Sequence, residues 1–123
     1  MDNVSMPLVV PSDPHANATV LLLDRLFSSP DDALFALPDG AGWRDVTTRE
    51  FYTQVISLAK GFIEAGIQPG DRVGLMCKTR YEWTLIDFAM WFAGAALVPI
   101  YETSSSSQIE WILNDSEAVA LIL

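Results

Sequence analysis

From Gly70 onward the sequence alternates short apolar runs with segments of helical periodicity, and no other feature constrains the fold as tightly. Residues 72–78, 97–100 and 118–123 are short and largely apolar, the composition of strands buried on both faces. Between them, residues 79–94 and the segment after Ser104 carry helix signals. Parallel neighbours need a crossover of a dozen or more residues, and a helix supplies it. The alternation therefore predicts an α/β chain with a mainly parallel sheet built from βαβ units. The last run, Val119-Ala120-Leu121-Ile122-Leu123, ends the sequence inside a strand pattern. Domain boundaries normally fall in polar, flexible segments, so the chain reads as the front piece of a larger protein.

Upstream of that alternation the signals are local. Pro7, Pro11 and Pro14 mark residues 1–18 as an extended lead. Residues 19–28 read as a short helix with Val20, Leu23 and Phe27 on one face. Residues 33–37 and 43–46 read as two strands of a hairpin around the turn 38–42. Thr47 and Glu50 form an S/T-x-x-E capping box, followed by Phe51, Val55, Leu58 and Phe62 at helical spacing. Gly66 in the left-handed conformation should end that helix, with Pro69 preventing its resumption. Thr79 with Glu82 offers a second capping box, and either Ser107 with Glu110 or Ser105 with Gln108 a third. Asn114 or Asp115 should close the last helix.

Composition narrows the function classes. A chain of 123 residues supports one domain, and 50% apolar residues with a mean hydropathy of +0.26 leave apolar surface in want of a partner. Seven Lys and Arg against 16 Asp and Glu give a net charge of −9, which repels nucleic acid and anionic membrane. The lone Cys77 forms no internal disulfide, so a reducing, cytoplasmic setting is expected. Residues 1–13 hold no Lys or Arg and no long apolar run, unlike a secretory signal. Residues 84–100 are interrupted by Asp87, Gly94 and Pro99, and read as a buried helix and strand rather than a membrane span.

Residues with chemistry to offer are few. A phosphate-binding α/β chain usually carries a glycine-rich loop, because only glycine lets backbone N–H groups close around phosphate oxygens. Here the junction Lys78-Thr79-Arg80 has no glycine. Lys78 and Arg80 are either an anion site beside a helix N-terminus or a solvated basic pair. His15, the only histidine, lies among prolines and builds neither a triad nor a metal cluster. Cys77, near the end of an apolar strand, reads as a small buried hydrophobe. Asp31-Asp32 reads as a solvated turn. Asp87 is a polar-face residue or a buried partner for Arg72 or Arg80. Of Trp43, Trp83, Trp91 and Trp111, the middle two share a helix apolar nearly all round, which points to a core element.

Several short motifs in order carry a resemblance. They are Trp43-x-x-Val46-Thr47, Gly66-Ile67-x-x-Gly70-Asp71-Arg72-Val73, Arg80-Tyr81-Glu82-Trp83, Gly94-Ala95, Val98-Pro99-Ile100-Tyr101-x-Thr103-Ser104 and Asn114-Asp115-Ser116-Glu117. Residues 43–123 thereby resemble the N-terminal part of the AMP-forming acyl-CoA synthetases. Glu82-Trp83 and Pro99-Ile100-Tyr101-Glu102-Thr103 resemble the long-chain fatty acid–CoA ligase branch. The resemblance implies an incomplete α/β subdomain over residues 19–123, part of the large domain of an adenylate-forming enzyme, cut at 123. The parent would activate a fatty acid with MgATP to acyl-AMP, releasing pyrophosphate, and pass the acyl group to the thiol of CoA. ATP, Mg2+ and CoA are implied for the parent, and none is expected to bind this piece tightly. The family's phosphate loop, magnesium-binding motif and C-terminal lysine match nothing here, so no catalytic, cofactor-binding or metal residue is carried over. Gly66, Gly70, Asp71, Arg72, Glu82, Trp83 and Pro99 transfer as fold-forming positions only. Fatty acid, ATP, CoA and the rest of the domain are the implied partners. A homodimer and peripheral membrane association stay open. Three rival readings stand beside this one: another adenylate-forming enzyme, such as a fatty-acyl-AMP ligase or an amino-acid-activating domain; a non-enzymatic interaction module; and a small flavodoxin-like or receiver-like domain.

Overall fold

The computed structural model describes Met6 and residues 16–123, so most of the expected lead, with His15, lies outside the described residues. Helix α1, Ala18–Ser28, starts within the stretch expected to be extended, because Asn17 caps it by accepting from the Thr19 backbone N–H at 3.0 Å. Its buried side chain is Leu22, not the expected stripe ending at Phe27, which is 85% exposed. Phe27 lies about 140° around the helix from Leu22. Only the Leu22 side meets the next two helices.

Strands β1, Ala33–Asp39, and β2, Gly42–Thr47, pair antiparallel and run further towards their turn than expected, leaving only Gly40 and Ala41 as a two-residue loop. Helix α2, Thr48–Glu64, opens on the expected capping box: Glu50 Oε2 accepts from the Thr47 N–H at 2.8 Å and Thr47 Oγ1 from the Glu50 N–H at 3.2 Å. Its buried stripe is Phe51, Val55 and Ala59, spaced by four, which leaves Leu58 to the flank. Gly66, at φ 102°, then turns the chain so that the Ile67 N–H reaches back to the Phe62 carbonyl at 3.0 Å.

The remaining elements are β3, Arg72–Leu75, α3, Tyr81–Phe92, β4, Ala96–Pro99, α4, Ser106–Asp115, and β5, Ala120–Ile122. The three strands are parallel in the order β4-β3-β5, as the alternation predicts. Strands β3 and β5 are shorter than expected, and β4 keeps its expected length but starts and ends one residue earlier. Pro99 fits in β4 because that strand lies at the sheet edge and its bonds to the β3 side come from Ala96 and Ile100, which donate to the Asp71 and Leu75 carbonyls at 2.8 and 2.9 Å. Of the remaining capping expectations, Ser105 with Gln108 forms a box, whereas Thr79 with Glu82 does not: Arg80 is the cap residue of α3 and makes no side-chain cap bond.

Two cores result. Leu22, Val46, Phe51 and Val55 pack with the flanking aromatics of the hairpin and α3. Val73, Met90 and Ala95 form the second, between α3 and the sheet. Successive strand residues face opposite ways. Val73 meets α3, and its neighbour Gly74 therefore faces the far side, where a Cβ would lie 2.9 Å from Leu113 Cδ2 of α4. Helices α3 and α4 thus cover opposite faces of the sheet. Arg72 ties the end of α4 to β3, donating to the Ser116 carbonyl and to Glu117 Oε2 at 2.5 Å.

Candidate functional site

The chain leaves β3 towards one face of the sheet and leaves β4 towards the other, so the two loops diverge beyond the carboxyl ends of these adjacent strands. Open α/β sheets accept ligands in such a crevice. Here it is a cavity of about 440 Å3 between residues 77–79 and 99–102, walled by Trp83 from the first turn of α3. That volume falls within the usual range for small-molecule sites. Its lining mixes the Lys78 ammonium, the Glu102 carboxylate and the Thr79 hydroxyl with the rings of Trp83 and Tyr101. These groups can hold and orient a ligand by charge, hydrogen bonding and stacking. They contain no histidine and no nucleophile paired with a base, so the crevice on its own is a binding surface. Among the described residues no group of three or more His, Cys, Asp or Glu side chains could hold a metal ion.

The residues singled out for chemistry lie apart from one another. Cys77 is half-buried and lines the crevice rather than filling the core, because β3 stops at Leu75 and the chain has already left the sheet. Lys78 and Arg80 do not act as a pair: Lys78 stands at the crevice, while Arg80 Nε lies 3.3 Å from Glu82 Oε2. Asp31 sits in the turn before β1, as expected, and pairs with Arg49 at 3.0 Å. Asp87 pairs with neither Arg72 nor Arg80, which are engaged elsewhere. Burial pushes its carboxyl above the ordinary value of 3.8. Trp43 and Trp111 are 72% and 65% exposed. Trp83 and Trp91 are half-buried, and Trp91 packs on Phe88 with ring centroids 4.8 Å apart.

Of the positions expected to be fold-forming, Gly66, Gly70 and Asp71 hold the turn between α2 and β3 and Arg72 ties β3 to the end of α4, whereas Trp83 and Pro99 line the crevice. Gly66 ends α2, and the Asp71 carboxylate accepts from the Gln68 N–H at 2.7 Å to close the turn into β3. The Gly94 carbonyl, just past α3, accepts from the Gly70 N–H at 2.9 Å. Tyr81, deeper in the aromatic cluster, donates its hydroxyl to Gln54 Oε1 at 3.0 Å, and burial raises its pKa. No described helix is long and apolar enough to cross a membrane.

Residues 26–123 match the protein family described as AMP-binding enzyme. The chain is 43% identical over 122 residues to the long-chain-fatty-acid–CoA ligase FadD15 of Mycobacterium bovis, an alignment covering 98% of this chain and 20% of that protein. It thus spans about a fifth of the length of that relative. Among solved structures, the N-terminal subdomain of Klebsiella oxytoca NpsA superposes with a TM-score of 0.76 at 23% identity, covering 85% of this chain and 26% of that one. The fatty acid AMP ligase of Legionella pneumophila superposes with a TM-score of 0.72 at 20% identity, over 83% of this chain and 18% of the other. Both superpositions bear on the fold alone.

Proposed function

The chain belongs to the AMP-binding enzymes, and from that premise we propose that it is the opening α/β portion of a long-chain fatty acid–CoA ligase. The observation that carries the proposal is the 43% identity, sustained over 98% of the chain, to a protein named for that activity. The whole enzyme joins a fatty acid to ATP, forming acyl-AMP and pyrophosphate, and then transfers the acyl group to the CoA thiol. A carboxylate becomes a usable electrophile only once its oxygen is turned into a good leaving group, which adenylation achieves. The charge developing on the phosphates calls for magnesium and cationic side chains. We assign the magnesium ligands to the remainder of the enzyme. This portion supplies fold-forming positions and no reacting group, and alone it turns over nothing. The proposed setting is the cytoplasm.

The test is fatty-acid-dependent formation of AMP by the full-length enzyme, followed through to product. A CoA thioester as the end product supports the proposal. Accumulation of acyl-AMP with CoA present would make the enzyme a fatty-acyl-AMP ligase, and activation of amino acids instead would make it an amino-acid-activating domain. Turnover by the 123-residue chain alone would overturn the division of labour.

A further inference from the structure

We draw no further inference here: the strongest candidate, the apolar cavity of about 190 Å3 that Leu22 and Arg25 of α1 form with Leu34, Phe35, Phe51 and Phe88, is an unpartnered apolar groove, and nothing in the structure shows what covers it.

Discussion

Phe51 is the side chain on which the first core depends, and Phe51→Ala is the perturbation that measures it. The ring is 1% exposed and stands among Phe35, Phe88 and Tyr81 at centroid separations of 4.9, 5.4 and 6.0 Å. Burying about 150–200 Å2 of apolar ring at roughly 25 cal/mol per Å2 is worth about 4–5 kcal/mol. Partial collapse of the surrounding rings offsets the cavity left behind, so the expected cost is about 3–5 kcal/mol. That is a large share of the roughly 5–15 kcal/mol that holds a domain together. The assay is urea denaturation followed by tryptophan emission, in which a loss of about 4 kcal/mol at a slope of about 2 kcal/mol per molar moves the midpoint by about 2 M. Phe51→Leu, which keeps most of the volume, should cost about 1–1.5 kcal/mol. Phe27→Ala, on the exposed side of α1, should stay within about 0.5 kcal/mol. A cost below about 1 kcal/mol for Phe51→Ala at unchanged slope would refute the assignment of this ring as the centre of the core. A coupling between Phe35→Leu and Phe51→Leu outside about 0.5–1.5 kcal/mol would refute the reading of their contact as an aromatic pair.

Other positions give smaller, signed effects. The backbone N–H of Thr47 holds the Glu50 carboxyl below its usual 4.5, so its contribution is present above that pH and is lost as pH falls through the lower folded value. Glu50→Ala should flatten the acid limb of a plot of thermal midpoint against pH. Asp87 has the opposite sign: its pKa is raised, so protonation on descending pH relieves the folded state, and in this chain alone Asp87→Asn should remove that gain without lowering the midpoint at neutral pH. Gly94 sits at φ 79°, and a Cβ there would lie 3.2 Å from Pro69 Cβ, so Gly94→Ala should cost about 1–2 kcal/mol in denaturation. Gly74→Val should lower stability by about 1–3 kcal/mol by forcing Leu113 and Leu121 away from the strand.

What the sequence reveals of this fold is mainly what is decided within a few residues. The capping boxes at Thr47 and Ser105 are closed by side chains three positions on, and both are legible from the residue types and their spacing. The parallel sheet is legible too, because its strands are apolar and helices separate them. The face of α1 is not: Leu21, Leu22 and Leu23 are consecutive, so periodicity alone does not say which one points inward. The crevice is hidden for a different reason. Cys77, Lys78 and Thr79 come from one loop and Pro99 to Glu102 from another, and only the parallel pairing of β3 with β4 brings them together. The usable signal is the divergence of the two loops, which follows once α3 and α4 are assigned to opposite faces.

The central place of β3 also sets a clock on the newborn chain. Val73 pairs with Ala120, 47 positions later, so β3 leaves the ribosome well before its second neighbour exists. At roughly 5–20 residues per second that wait lasts about two to ten seconds, long compared with the roughly 1–10 μs a hairpin needs to form. The hairpin and α2 can therefore be in place while Val73 and Leu75 still lack a sheet. During synthesis the exposed species is a half-built layer with an unpaired apolar strand, the form that chaperones bind and that neighbouring nascent chains can capture.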